Sequence, residues 1–289
     1  MHPFVRTTLG AASLALCSLG AQAVTLVGIT SANQIARIDI SNIAAASSTA
    51  ITGLAAGDRF VGIDLRPKDN KIYGVTLSNQ LYTVNELTGA ATWMAALSSP
   101  VISPSLGYGI DFNPVADFGT GASLRLVSSS GSNFAINAGT GVVGNLAGSI
   151  APGYSAVAYS NSQPLPTAAP ASTALYYINS STDQLMMAGS AFNAPTITAV
   201  GALGVDVLKA NGFELLGNGM AYAALNVDDG SSLVTGLYTI NLGTGAATLI
   251  GHYNGTLSGL TVSAVPEPQT YAMMLAGLLA VGSLVRRRG

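Results

Sequence analysis

The chain has 289 residues, of which 49% are hydrophobic and only 8% are charged. This composition excludes an intrinsically disordered protein, which needs low hydrophobicity and high charge. Residues 24–264 contain seven basic and twelve acidic residues, a net charge of −5, which argues against nucleic acid as a partner.

The first 23 residues have the pattern of a secretory signal peptide. Arg6 provides a positive start, residues 9–19 are apolar, and Ala21 and Ala23 flank Gln22 in the small-x-small form of a cleavage site. The apolar run is too short for a transmembrane helix. We therefore expect export, with a mature chain that begins at Val24.

The chain from residue 24 to residue 264 is built from repeated sequence motifs, which we call phrases. Within them, apolar residues recur with a period of two. In the first phrase, alternating apolar residues lead into a Thr-Gly corner, which is typical of a β-hairpin. Its clearest copies are residues 80–92 and 236–248, with weaker copies at 35–40, 134–141 and 175–183. A second phrase, which contains Gly-Ile-Asp, precedes the hairpins at 60–67 and 107–114, and related segments occur at 153–157 and 204–207.

These phrases predict the architecture of the domain. Together with the strands between them they make about four strands in about 45 to 60 residues, which is the size of a β-propeller blade. We predict an all-β fold, in which residues 24–264 form one β-propeller-like domain of five or six blades. An irregular β-sandwich is the alternative. Residues 163–172, with three prolines, are interpreted as a long loop within this domain.

The same phrases carry a family resemblance. Where Gly62-Ile63-Asp64 is followed by Leu81-Tyr82, and where both phrases recur in this order, the chain resembles the bacterial domain of unknown function 4394. The resemblance covers roughly residues 26–262. It implies a propeller-like fold, and it transfers no catalytic residue and no substrate.

Three aspartates are candidate metal ligands. Asp64, Asp111 and Asp206 occupy corresponding positions of the Gly-Ile-Asp phrase, so ring symmetry can direct them to a common axis, where oxygen ligands would hold calcium. The alternative is a structural role, because aspartate at a strand end commonly accepts backbone N–H groups and fixes a turn. Trp93, the single tryptophan, is a candidate platform for stacking on a sugar ring.

The cysteine and histidine residues of the sequence do not favour catalysis. The only cysteine, Cys17, lies in the predicted leader, so the exported domain has no disulfide, cysteine nucleophile or thiolate metal site. His252 is its single histidine, and no Gly-x-Ser-x-Gly turn accompanies it, which argues against a Ser-His-Asp triad. We assign no catalytic residue and predict that the protein is not an enzyme.

The end of the chain has three ordered parts, which are a Pro-Glu-Pro box, an apolar segment and a basic tail. They are Pro266-Glu267-Pro268, residues 271–285 and Arg286-Arg287-Arg288. A helix over the apolar segment would span about 24 Å, which is short for a hydrocarbon core of about 30 Å. The arginines favour a cytoplasmic C-terminus, which places the preceding domain outside.

Residues 265–289 thereby resemble the PEP-CTERM sorting signal of Gram-negative bacteria, with an ordinary tail anchor as the alternative. The resemblance implies transient anchoring in the inner membrane, processing by an exosortase near the box, and an association with exopolysaccharide and biofilm.

Taken together, the sequence predicts an exported protein that acts at the cell surface or in the extracellular matrix. We predict a binding or structural module whose partner is extracellular polysaccharide, with no cofactor unless calcium binds the aspartates. The alternative function is a calcium-dependent hydrolase or lyase that uses those aspartates.

Overall fold

The computed structural model describes residues 24–228 and 230–264. The predicted cleavage site at Ala21 and Ala23, the box at residues 266–268 and the arginines at 286–288 lie outside the described residues. Within them the chain forms 20 β-strands and two 3₁₀ turns, Ile43–Ala45 and Ala116–Phe118. None of the helical segments in this part of the chain has the length and apolar character needed to cross a membrane.

The strands are short and follow one another through tight turns. In chain order they are β1 (Thr25–Thr30), β2 (Gln34–Asp39), β3 (Ser47–Ala50), β4 (Phe60–Arg66), β5 (Lys71–Thr76), β6 (Gln80–Val84), β7 (Ala91–Ala96), β8 (Tyr108–Phe112), β9 (Leu124–Ser128), β10 (Asn133–Ile136), β11 (Val143–Gly144), β12 (Tyr154–Tyr159), β13 (Leu175–Asn179), β14 (Gln184–Ala188), β15 (Thr198–Ala202), β16 (Lys209–Leu215), β17 (Ala221–Asp228), β18 (Leu233–Ile240), β19 (Ala247–Tyr253) and β20 (Leu257–Val262).

These strands form five antiparallel blades of four strands each. Blade 1 has the order β20-β1-β2-β3, and blades 2 to 5 are β4 to β7, β8 to β11, β12 to β15 and β16 to β19. The first strand of each blade contacts the first strands of its two neighbours, so these strands surround a central axis. The prediction of a β-propeller is confirmed, the number of blades is five, and the β-sandwich is excluded.

The ring closes by pairing the two ends of the domain. The last strand, β20, pairs antiparallel with β1, with Val262 opposite Leu26 and Leu260 opposite Gly28. The innermost strand of blade 1 therefore comes from the C-terminal end of the domain, and its other three strands come from the N-terminal end. Closure of this kind holds the first and last blades together without a covalent link and leaves no open edge between them.

The hydrophobic core is divided among the five interfaces between blades. Five clusters of buried apolar side chains each combine residues of two adjacent blades. Between blades 1 and 2, for example, Val27 and Ile35 pack with Phe60 and Tyr82, whose rings meet edge to face with centroids 6.2 Å apart. Burial of alternate strand residues against the neighbouring blade explains the period-two pattern of the sequence.

The Thr-Gly corners of the repeated phrase also join neighbouring blades. Gly89 has a φ of 70° and touches the carbonyl of Ala50 on blade 1, so a Cβ atom would collide there. Gly141 has a φ of 72° and makes the matching contact with Ala96 on blade 2. One of the weaker copies was misaligned, because residues 175–183 form the second strand of blade 4 and its following turn, and not the third strand as in the other copies.

Candidate functional site

The five innermost strands place two layers of side chains on the axis. The first layer consists of small residues, which are Gly62, Gly109, Ala156, Gly212 and Gly259. They allow the strands to approach so closely that the cavity between them measures only about 10 Å³. Two residues further along each strand, and hence on the same face, lies the second layer, which consists of Asp64, Asp111, Ala158, Glu214 and Thr261.

Three carboxyl groups meet in the second layer. Asp64, Asp111 and Glu214 each place a carboxylate oxygen within 4.8 Å of the other two. All three side chains belong to residues that are at most 4% exposed. We call these three residues the axial carboxylate cluster. Among the described residues, the ion pairs join Arg37 or Arg66 to other acidic groups and do not include this cluster.

The second layer connects each blade to the next through hydrogen bonds. Asp64 Oδ2 accepts from the backbone N–H of Phe112 at 2.8 Å, which joins blade 2 to blade 3. Asp111 Oδ1 likewise accepts from Tyr159 N–H at 2.9 Å, which joins blade 3 to blade 4. Blade 4 has Ala158 at this position, which offers no side-chain acceptor. The carboxylates therefore satisfy buried backbone donors that the inner strands cannot pair with each other.

Thr261 completes the ring between blades 5, 1 and 2. Its hydroxyl oxygen accepts from Leu65 N–H at 2.9 Å, and it lies 2.6 Å from Glu214 Oε2 and 3.1 Å from Asp64 Oδ1. Glu214 also accepts from the backbone N–H of Val262. Thr261 is a residue that the sequence analysis did not single out, and it links two of the three carboxyl groups.

Burial in this cluster changes the acidity of all three groups. Loss of water around the carboxyl, together with the nearby charge of Glu214, raises the pKa of Asp64 well above its usual value. Burial and the charges of the other two groups do the same for the pKa of Asp111. Burial raises the pKa of Glu214 to about 7, although Thr261 and backbone donors oppose the shift. Three like charges cannot all form within this distance in a site that excludes water.

The structure brings together two of the three predicted ligands and replaces the third. Asp64 and Asp111 meet on the axis, but Asp206 lies in the exposed segment before β16. Its alignment with the Gly-Ile-Asp phrase was wrong, because the inner strand of blade 5 carries Gly212-Phe213-Glu214 instead. A search for glycine followed two residues later by any acidic residue or threonine would have found this copy, and Gly259-Leu260-Thr261 as well.

Two other residues considered in the sequence, Trp93 and His252, lie on the outermost strands of their blades, whereas the axial carboxylate cluster lies on the innermost strands. Trp93 is 56% exposed on β7, the outermost strand of blade 2, and its indole N–H donates to Gln80 Oε1 at 2.9 Å. His252 is exposed on β19, the outermost strand of blade 5. The predicted stacking role of Trp93 stays a prediction.

A pocket opens directly over Glu214 at one end of the axis. We call it the axial pocket, and its volume is about 320 Å³. Its walls and floor include Pro67, Gln163, Pro164, Asn218, Ser263 and Glu214. Asp64 and Asp111 do not line it, so Glu214 is the one member of the axial carboxylate cluster that faces this space. The volume lies in the range of small-ligand sites.

The long proline-rich loop between β12 and β13 forms one wall of the axial pocket. Leu165 donates its backbone N–H to the carbonyl of Pro67 at 2.8 Å, which anchors the loop across to blade 2. Leu165 has a φ of 47°, a left-handed conformation that is costly for a residue with a branched side chain, and it is 61% exposed. The fold thus holds a strained apolar side chain next to Pro164 at the rim of the pocket.

The hydrogen bonds of the cluster lead to a first prediction. Asp64→Ala removes the acceptor of Phe112 N–H inside the protein, so we expect the free energy of unfolding at pH 7 to fall by about 2 kcal/mol. Asp64→Asn keeps an acceptor oxygen and removes a charge, and it should remain within about 1 kcal/mol of the parent. Urea unfolding of both variants measures the difference. Equal losses in the two variants would contradict a structural role for this acceptor.

Comparisons with known proteins find two family models that match this chain. The family model described as "Domain of unknown function (DUF4394)" matches residues 22–261. The model of the PEP-CTERM protein-sorting motif matches residues 264–288. A search of curated proteins finds no sequence match.

Solved structures that resemble this chain do so at low sequence identity and with TM-scores below 0.5. Regucalcin from Agrobacterium tumefaciens, a calcium-binding protein, is 13% identical with a TM-score of 0.41, over 78% of this chain and 68% of that one. A proposed 6-phosphogluconolactonase from Bacteroides fragilis is 11% identical with a TM-score of 0.43, over 81% and 83%. A protein of unknown function from Bacteroides thetaiotaomicron is 12% identical with a TM-score of 0.45, over 80% and 58%.

Proposed function

We propose that this protein, which belongs to the DUF4394 family, binds extracellular polysaccharide without catalysing a reaction. Its PEP-CTERM motif directs export, surface sorting and exosortase processing. The propeller is the part that binds, and the axial pocket is its site. The sorting motif supports the location, and the chemistry of the pocket supports the ligand class.

The observation that carries this proposal is the set of groups around the axial pocket. Gln163 and Asn218 supply amide groups and Ser162 supplies a hydroxyl, all of which can donate and accept hydrogen bonds, and the Ser263 hydroxyl, which donates to Glu86, can accept one. The apolar surfaces of Leu65, Pro67 and Pro164 lie among them. Alternation of amides, hydroxyls and small apolar faces matches a sugar ring, which presents hydroxyls at its edge and C–H groups on its faces. Among the described residues, no lysine or arginine lines the pocket, which favours a neutral sugar.

The same geometry argues for binding without hydrolysis. A glycosidase of the usual kind needs two carboxyl groups that flank the scissile bond. Of the carboxyl groups in the described part of the chain, only that of Glu214 faces the axial pocket, and its oxygens are already held by Thr261 and by backbone donors. The other two carboxyl groups lie below it and hold the inner strands together.

Binding to a panel of neutral bacterial exopolysaccharides tests the proposal. The residue 24–264 domain is the reagent, because pairing of β20 with β1 closes the ring within it. We expect Gln163→Ala to weaken binding at least tenfold, since it removes an amide from the wall of the axial pocket. Isothermal titration with defined oligosaccharides measures the change.

Two control variants locate the site. Gln80→Ala removes the same amide on blade 2, outside the axial pocket, and should leave the affinity unchanged. Trp93→Ala should also bind normally. If Trp93→Ala abolishes binding and Gln163→Ala does not, the sugar stacks on the outer strand of blade 2 and the axial pocket is the wrong site. If the parent binds no polysaccharide of the panel, the proposed ligand class is wrong and a purely structural role is favoured.

A second candidate function follows from one specific observation, the axial carboxylate cluster. Its three carboxyl groups provide an all-oxygen donor set of the kind that calcium prefers. Calcium that bound there would raise the stability of the domain most at pH 8, where the cluster is most negative. Polysaccharide binding that disappears with a chelator, together with loss of that stabilisation in Glu214→Gln, would favour a calcium-dependent function.

A further inference from the structure

One buried carboxylate binds the backbone at the C-terminal end of the propeller, and we call its contacts the clamp. Glu86, on the turn between β6 and β7, is 3% exposed, and Arg37 donates to its Oε2 at 2.8 Å. Its Oε2 also accepts from the Ser263 hydroxyl at 2.7 Å, and its Oε1 accepts from Ala264 N–H at 2.7 Å. The carbonyl of Ala264 accepts in turn from the Asn70 side chain at 2.8 Å.

This clamp is not needed to close the ring. β20 ends at Val262, and one further backbone hydrogen bond, from Ser263 N–H to the carbonyl of Thr25 at 2.9 Å, completes its pairing with β1 before Ala264 is reached. The contacts of Glu86 and Asn70 instead fix the position and direction of the backbone just before residues 265–268. Hydrogen bonds to a buried charged group are among the stronger ones in proteins, so the exit point is held firmly on blade 2.

A second and larger pocket begins at this exit. It has a volume of about 510 Å³, and Ala264 forms part of its wall. We call it the exit pocket. Lys71, Thr83, Thr88, Thr92 and Met94 of blade 2 also line it. Lys71 is exposed, and it takes part in none of the ion pairs found among the described residues.

We propose that the exit pocket binds the next residues of the same chain, 265–268, so that the Pro-Glu-Pro box is seated against blade 2 before exosortase processing. Four extended residues span at most about 14 Å, so the segment stays within reach of the pocket whose wall it leaves. Proline disfavours helical backbone, also at the residue before it, so a Pro-Glu-Pro sequence suits binding in an extended form. Val265 and the prolines match apolar groups such as Met94, and the carboxylate of Glu267 matches the unpaired ammonium of Lys71.

Disulfide trapping in the full chain tests this docking, because the exported domain contains no cysteine of its own. The protein is purified in detergent from cells that lack exosortase, with Cys17→Ser as the background. Pro266→Cys is combined with Thr88→Cys, which lies in the exit pocket. A disulfide forms only when the two Cα atoms come within about 7 Å. We expect rapid formation under mild oxidation, measured on non-reducing gels and by mass spectrometry of the linked peptides.

Two controls separate docking from random collision of a loose tail. Ser47→Cys, also combined with Pro266→Cys, lies on blade 1 opposite Arg37 and is not among the residues that line the exit pocket, and it should react at least tenfold more slowly. Lys71→Glu, added to the Thr88→Cys pair, should slow the disulfide at least threefold because it repels Glu267. Equal rates with Thr88→Cys and Ser47→Cys, or no effect of Lys71→Glu, would overturn the proposal.

Discussion

We expect Gly212→Ala to lower the free energy of unfolding by about 3 kcal/mol, because overpacking that displaces backbone atoms lies at the costly end of the range for such substitutions. A Cβ atom on Gly212 would lie 2.5 Å from the backbone nitrogen and 2.9 Å from the Cα atom of Leu260. Both belong to β20, the strand that closes the ring. The new methyl group therefore cannot be accommodated by rotating a side chain, and it separates blade 5 from blade 1.

Gly62→Ala is the matched control for this prediction. Gly62 occupies the same layer on blade 2, but the three atoms nearest to a Cβ atom there all belong to the side chain of Ile110, at 3.3 Å or more. We expect a change of less than about 1 kcal/mol, since reduced freedom of the unfolded chain offsets the crowding. Urea unfolding of the residue 24–264 domain measures both variants. Similar losses in the two variants would show that the close approach of blades 5 and 1 is not what holds the ring closed.

The second large effect is a loss of stability between about pH 4.5 and pH 7. Glu214 has a pKa of about 7 in the folded protein, above its usual value of 4.5. The folded state therefore keeps a proton that the unfolded state has already released, so raising the pH favours unfolding. This one group costs about 3 kcal/mol of stability across the interval. The raised pKa values of Asp64 and Asp111 act in the same direction.

Urea unfolding at pH 5, 6, 7 and 8 measures this slope. Glu214→Gln should flatten it, because the substituted side chain has no proton to release, and the stability of the variant should exceed that of the parent at pH 8. Asp206→Asn serves as a control, since its carboxyl group is exposed and lies outside the axial carboxylate cluster. If the stability of the parent protein rises from pH 5 to pH 7, the folded state does not keep the proton of Glu214 in this range, and the raised pKa is contradicted.

The fold was predictable because its determinants are local and repeated. Alternation of apolar residues follows from burying one strand face against the next blade, and the Thr-Gly corner needs the positive φ that Gly89 and Gly141 adopt. The number of blades was harder to predict from the sequence than the class of fold. The strand phrase at 175–183 looks like the third strand of a blade, but it occupies the second position, since hairpin patterns do not show which neighbour a strand pairs with.

The candidate site was predictable only where the repeat was exact in sequence. Asp64 and Asp111 were found because both follow Gly-Ile, and Asp206 was chosen because it follows the similar pair Gly204-Val205. Glu214 and Thr261 were missed because the axis requires an oxygen acceptor on the correct strand face, and a carboxylate or a hydroxyl of another residue type meets that requirement. The physical constraint is the acceptor position and not the identity of the amino acid.

The sequence by itself determined the class of fold, the hairpin units and two of the three axial carboxyl groups, because strand periodicity and turn chemistry are expressed within a few neighbouring residues. Only the tertiary structure decided which residues meet across the ring. Burial on the axis raises the pKa of Glu214, which meets Asp64 there from 150 positions earlier in the chain. The clamp on Ala264 depends on Glu86 from blade 2. Such contacts arise when five blades close around one axis, and no local pattern encodes them.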